Sequence, residues 1–370
     1  MSKKILFIID NLGCGGAEKV TIELADYMAR QGNDVTLAVL NGKKDYFKPP
    51  ANIHYIDLGF SDFFAFGKLW KNKYLSDNEQ HVLQQLLNQK FDLIIPEYNN
   101  GHWLRPYLTG NVWHWVHGDL IEKRPAFNVL NHIKEYFRVI RYKAKFIKLL
   151  DGANIITVSQ HLMDKYVPLL PHASIINIHN GVDQKKLMDS ISEVDVQESW
   201  DVMFVGRVHK IKQVDHALHA FAQSGLTGRM AIIGDGPERG MVQQLISTLH
   251  LQDRVDFIGK VKNPASYLIK TKCLIMTSFD EGGFIPLTIA EALSLNIPVV
   301  TYEFSESVSC FFKNNLMEKA LVPRQQIDFL AKQLKQVVFA PYAISAESIS
   351  SLSIHTTYIK FMKLIEHYNL

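Results

Sequence analysis

The sequence predicts an α/β protein of two domains, each built on a mostly parallel sheet. Short apolar runs of strand length alternate with helical patterns along nearly the whole chain. The first run passes through a glycine turn straight into a helix, the opening unit of such sheets. A polar stretch, residues 184–200, interrupts the alternation, and beyond it the series begins again. With 370 residues, each half is long enough to bury a core of its own.

In chain order, residues 5–9 form the first strand, and DNLGCGGAEKVTIELADYMARQG supplies the turn and a helix with apolar Val20, Ile22, Leu24, Ala25 and Met28. The start, MSKKILFII, has only a short apolar run before Asp10 and Asn11, so it reads as a strand and not as a signal peptide. The turn lacks the G-x-G-x-x-G spacing, and no acidic residue closes the next strand, 34–40, which disfavours a dinucleotide. Gly15 and Gly16 either admit a phosphate or sugar against the helix start or simply make a tight turn. Further strands are expected at 53–58, 91–96, 112–118, 154–159 and 174–180. Ligands of such sheets sit beyond the carboxyl ends of strands. Two of these ends are polar, PEYNNGH at 96–102 and WVHGD at 115–119, so His117 is either a site residue or a hydrogen-bonded structural one.

A basic amphipathic helix is expected over 133–150, with Lys134, Arg138, Arg141, Lys145 and Lys148 beside an apolar stripe of Phe137, Ile140, Ala144 and Ile147. Such a helix either lies on an anionic membrane surface or covers the sheet with its basic face in water. After the polar stretch, strands are expected at 202–206, 231–234, 255–259, 274–278 and 297–302. Within this half, TSFDEGGFIPLTIAEALSLNIPVVT at 277–301 reads as a strand end, a glycine turn, a helix opening at Pro286 and another buried strand. Gly282 and Gly283 let backbone amides approach a ligand, and the helix start favours an anion. Glu281 and Glu291 would meet that ligand at different heights; the competing reading is a plain crossover with acidic surface residues.

Composition narrows the class. Hydrophobic residues at 47%, charged residues at 21% and a net charge of +3 describe a globular protein and argue against a dedicated nucleic-acid binder. Cys14, Cys273 and Cys310 are scattered, with no metal-type spacing, which suits a reducing compartment. No run of 18 apolar residues occurs, so no membrane span is expected.

FVGRVHKIKQVDHALHAFA, AIIGDGPERGMVQQL, RVDFIGKV and the 277–301 stretch, in that order and spacing, resemble the nucleotide-sugar domain of retaining glycosyltransferases of the GT-B fold. GGAEKV, DGANIITVSQHL and HNGVD resemble the first domain of the same family, the family 4-like, group 1 enzymes of bacterial lipopolysaccharide and surface-polysaccharide synthesis. The resemblance implies two Rossmann-like domains facing across a cleft: an acceptor domain over 1–183, a linker over 184–200 and a donor domain over 201–350. It further implies a C-terminal helix, 351–370, that returns to the first domain.

The same resemblance assigns roles. Arg207 and Lys212 match the pair that neutralises the donor diphosphate; Arg grips phosphate oxygens as a fork, and Lys supplies a point charge. Glu291 matches the glutamate that accepts from the ribose hydroxyls, and Glu281 the one that holds the donor sugar. Nine residues separate these two where the family has seven, so Asp280 competes with Glu281 for that role. The amides of Phe284 and Ile285 would face the diphosphate, the segment 259–261, ending at Val261, would read the base, and His117 would stand near the reacting sugar. FSESVSCFFKNNLMEKALVP lacks the glycine-rich turn usual after the preceding strand.

The implied activity is metal-independent, retaining transfer of a hexose from a nucleotide diphosphate sugar, UDP-sugar first, to a hydroxyl of a surface glycan such as lipopolysaccharide core. The enzyme would be cytoplasmic, with peripheral contact to anionic membrane through helix 133–150. A nucleotide-sugar-binding subunit without turnover and a sugar-nucleotide epimerase are the alternatives on the same fold.

Overall fold

The apolar runs become parallel strands because helices cover both faces of each sheet, and a strand buried on both sides has no polar side to alternate. The computed structural model describes residues 2–13, 15–66, 74–121, 129–191, 195–279, 281 and 285–368. It divides into two units: Met1–Asn180 with Thr357–Leu370, and Gly181–Thr356.

In the first unit, β1 (Lys4–Ile9), β2 (Asp34–Val39), β3 (His54–Asp57) and β4 (Leu93–Pro96) lie in the order β3-β2-β1-β4. Then β5 (Trp113–Val116), β6 (Asn154–Thr157) and β7 (Ser174–Asn177) pair in sequence order. Parallel bridges from Ile94 to Val112 and from Glu97 to Trp115 set β4 beside β5. Residues 5–9 of β1 are fully buried. The helix Gly16–Arg30 turns Val20, Leu24, Ala25 and Met28 inward, as its spacing predicts.

The second unit holds β8 (Trp200–Val205), β9 (Met230–Ile233), β10 (Val255–Gly259), β11 (Thr271–Met276), β12 (Val299–Tyr302) and β13 (Leu321–Val322), in the order β10-β9-β8-β11-β12-β13. Side chains alternate between its two faces. Met203, Leu274 and Val299 join one core with Ala292 and Leu293 of the helix Leu287–Ser294. Val202, Phe204, Cys273 and Val300 join the other with Leu218 and Leu334.

Four expectations change. The helix after the glycine turn begins at Leu287, with Pro286 as its cap: Ala290 N donates to Pro286 O at 3.0 Å, the first bond of the helix. The stretch expected as a linker contains the helix Gln184–Ile191, held to the second unit by a bond from Gln184 Nε2 to Ser294 O at 3.0 Å and by Leu187 packed on its core. The helix Val129–Leu150 buries Phe146, Leu149 and Leu150 near its end, yet Ile133, Tyr136, Phe137 and Ile140 are exposed, so the basic helix keeps an apolar stripe on its outer face. Finally, β13 is a two-residue strand that sequence periodicity did not reveal. The last helix, Ile354–Tyr368, belongs from Thr357 onward to the first unit, where Phe361 packs edge-on to Trp115 at 5.1 Å.

A close approach fixes the loop after β8. Gly234 adopts φ +134°, and a Cβ there would lie 1.8 Å from Gly206 O. Gly240, in the helix Arg239–Thr248, has nothing within 4 Å of that position. We expect Gly234→Ala to cost at least about 2 kcal/mol in urea unfolding, and Gly240→Ala to add about 0.5–1 kcal/mol.

Candidate active site

Where strand order reverses about a central strand, the loops leaving two neighbouring strands diverge and open a crevice at their carboxyl ends. In the second unit that point lies between β8 and β11. The loop from β8 carries Gly206, exposed Arg207 and then the tight turn Lys210–Lys212. Gln213 follows in the left-handed region, φ 46°, which costs a non-glycine residue free energy. The fully buried Thr277, just beyond β11, lies with its hydroxyl 2.9 Å from Lys212 O and 2.7 Å from Gln213 O and pins the strained turn. Phe279 N donates to Ile211 O at 2.8 Å, tying the two loops together again.

These ties bring Lys212 and Glu281 together across 69 residues of chain. Their side chains form a half-buried ion pair, and Ser278 Oγ donates to the same carboxylate oxygen, Glu281 Oε1, at 2.5 Å. Arg207 makes no ion pair among the described residues. Glu291 is buried on the helix Leu287–Ser294, and Ile285 is buried before it. Gly259, φ +84°, accepts from Gly234 N at 2.8 Å, and Val261 packs against the core beside it. Asp280, Gly282, Gly283 and Phe284 lie outside the described residues, as does Cys14.

The corresponding point of the first unit lies between β1 and β4, and it is acidic and buried. Gly15 caps the helix Gly16–Arg30, but the Glu18 carboxylate folds beneath it: a Cβ on Gly15 would lie 2.2 Å from Glu18 Oε2. That carboxylate, and not open space, fills the ground under Gly15, whereas nothing lies within 4 Å of a Cβ on Gly16. At the end of β4, Asn100 N and Gly101 N donate to the buried Asp10 at 2.9 and 3.2 Å, so part of the polar PEYNNGH segment serves to close the sheet end.

Beside them, Glu97 is fully buried, and its Oε2 accepts from Thr21 Oγ1 at 2.6 Å and lies in hydrogen-bond contact with His117 Nε2 at 2.7 Å. Burial raises the Glu97 carboxyl above its ordinary value, with His117 pulling the other way, and burial raises Glu18 as well. Sequence reasoning singled out His117 and the polar strand end but missed Glu97, because its partner becomes its neighbour only through the register of β4 beside β5.

Comparison with known proteins decides the family. A family model described as Glycosyltransferase Family 4 matches residues 14–186, and one described as Glycosyl transferases group 1 matches residues 189–348. The chain belongs to the GT-B glycosyltransferases of this group. An uncharacterized glycosyltransferase of Haemophilus influenzae is 24% identical to this glycosyltransferase over 90% of this chain and 86% of its own. A Campylobacter jejuni enzyme, named as an α-1,4-N-acetyl-D-galactosaminyltransferase acting on a PP-undecaprenol-linked saccharide, is 23% identical over 90% of this chain and 89% of its own. A crystal structure of HepE from Anabaena in complex with UDP and glucose superposes with a TM-score of 0.67 at 15% identity, covering 99% of this chain and 100% of that one.

The Thr277 tie tests the construction of the glycosyltransferase's β8–β11 loops. We expect Thr277→Val to lower stability by about 1–3 kcal/mol and Thr277→Ser to restore most of it, read from urea midpoints. Equal midpoints for all three proteins would mean that the hydroxyl holds nothing.

Proposed function

We propose that this glycosyltransferase moves a hexose, with retention and without a metal, from a UDP-sugar to a hydroxyl of a lipid-linked surface saccharide such as lipopolysaccharide core. The observation that carries the reading is the cluster of Lys212, Glu281 and Ser278 at the strand-order reversal of the second unit, next to exposed Arg207. Breaking the bond between sugar and phosphate builds charge on the leaving diphosphate, and fixed cations lower that barrier. Arg207 and Lys212 supply them where a metal otherwise would. Lys212 exchanges its pairing with Glu281 for the diphosphate, and Glu281 turns to sugar hydroxyls. The amides before the helix Leu287–Ser294 face the same phosphates, Glu291 accepts from the ribose, and the segment 259–261 borders the base.

In the retaining step the C1–O bond to phosphate breaks, a C1–O bond to the acceptor forms on the same face, and the acceptor proton passes to the leaving phosphate oxygen. The first unit takes the acceptor, with His117 as its candidate contact. The UDP complex of HepE supports the donor class, and the name of the Campylobacter jejuni relative supports a lipid-linked acceptor.

Such an acceptor places the enzyme at the inner face of the cytoplasmic membrane. No described helix is long and apolar enough to cross one. The exposed Ile133, Tyr136, Phe137 and Ile140 fall at i, i+3, i+4 and i+7, one face of the helix, beside Lys134 and Arg141, which suits shallow insertion among anionic headgroups. A second reading, a donor-binding subunit without turnover, is favoured by the nine residues between Glu281 and Glu291.

The test is transfer from UDP-hexoses to an undecaprenol-linked saccharide in anionic vesicles containing EDTA. We expect an α-linked product from an α-linked donor. Glu281→Gln should lower transfer by roughly 100-fold while leaving the UDP Kd within about threefold, and Phe137→Asp should reduce vesicle binding. Donor binding with no transfer to any acceptor would favour the subunit reading, and a requirement for added divalent cation would contradict metal independence.

A further inference from the structure

Glu97 and His117 form a buried pair that the donor chemistry does not use. Glu97 follows β4 and His117 follows β5, and the parallel bridge between Glu97 and Trp115 fixes their register. His117 lies two residues beyond Trp115, on the same face of the strand, and its ring rests on the fully buried Trp115 indole with centroids 4.3 Å apart. Its Nε2 is 2.7 Å from Glu97 Oε2, the ring is 10% exposed, and Glu97 is not exposed at all. Thr21, from the helix Gly16–Arg30, reaches the same oxygen. Three elements thus converge on one carboxylate. Nδ1, the other ring nitrogen, is buried with no partner among the described residues.

We infer that Glu97 is a positioning residue, which holds the proton of His117 on Nε2 and turns the Nδ1 lone pair toward a hydroxyl of the acceptor saccharide. The physical reason is the tautomer. An imidazole that gives Nε2–H to a carboxylate keeps Nδ1 as an acceptor, and a ring packed on Trp115 and bonded at Nε2 cannot rotate freely. An acceptor hydroxyl then donates to Nδ1, which satisfies a buried atom that has no partner among the described residues. Glu18, Tyr98 and His102 are the neighbouring titratable groups. Burial lowers His102 to about 3, so it does not compete as a cation for Glu97, and burial raises the Glu18 carboxyl, which favours its neutral form and weakens its pull on His117. This inference rests on the reading of the first unit as the acceptor unit.

The experiment pairs imidazole nitrogen NMR on the full chain with a double-mutant cycle in the transfer assay. In the wild type, the His117 resonances should report the Nε2–H tautomer. Glu97→Ala should yield a mixture and lower kcat by roughly 100-fold, while Glu97→Gln, whose amide oxygen still accepts, should retain the tautomer and lose only about tenfold. In a His117→Ala background the Glu97 substitutions should have no further effect, because a residue that acts through another is silent without it. If Glu97→Ala does not fold, Glu97→Gln carries the test through an upfield move of the Nε2 proton. An unchanged His117 spectrum in the Glu97 variants, or additive losses in the cycle, overturns the inference and leaves the acceptor reading intact. Full transfer by His117→Ala overturns the acceptor role of His117 itself.

Discussion

The reversal of strand order about β1 and about β8 is the constraint from which both candidate sites follow. In a parallel sheet every strand ends on the same side, so the residues leaving adjacent strands at the reversal are separated by diverging loops and keep polar groups that no neighbouring strand satisfies. The protein meets that demand twice with different chemistry. Around β8 and β11 the loops are tied by backbone contacts and the Thr277 hydroxyl, and they present Lys212, Glu281 and Arg207. Around β1 and β4 the groups turn inward, and Asp10, Glu18 and Glu97 are buried.

This difference has an electrostatic consequence. An exposed guanidinium keeps most of its hydration, and a partly exposed ammonium can exchange one anionic partner for another at lower cost than a fully buried charge. A carboxylate buried like Glu97 cannot, since removing its partner leaves a charge in a medium that solvates it poorly. In the proposed function the second unit trades partners with an arriving anion, and the first holds a fixed arrangement of hydrogen bonds. A diphosphate suits the former and a neutral, hydroxyl-rich saccharide the latter.

Much of this was legible in the sequence. The strands announced themselves as apolar runs, and both the GT-B fold and the family followed from ordered motifs. Arg207, Lys212 and Glu281 stood out by their motif surroundings, although the meeting of Lys212 with Glu281 depends on β8 and β11 being neighbours, a tertiary fact. Glu97 was invisible for the same reason: in PEYNNGH it is one polar residue among several until β5 is laid beside β4. The helix Val129–Leu150 shows a further limit. Periodicity located its apolar stripe, but whether Phe137 and Ile140 face the sheet or the solvent depends on which side the chain packs, and they face outward.

In the proposed function the β8–β11 loops of the second unit hold a nucleoside diphosphate through Arg207. A ligand that binds only the native protein must raise its unfolding temperature by mass action. Thermal unfolding should therefore be followed with UDP, GDP, ADP, the UDP-hexoses and NAD, for the wild type and for Arg207→Ala. Stabilisation by UDP and its sugars, absent in Arg207→Ala, is the predicted result. Stabilisation by NAD alone, by none of the ligands, or to an equal degree in Arg207→Ala would contradict it.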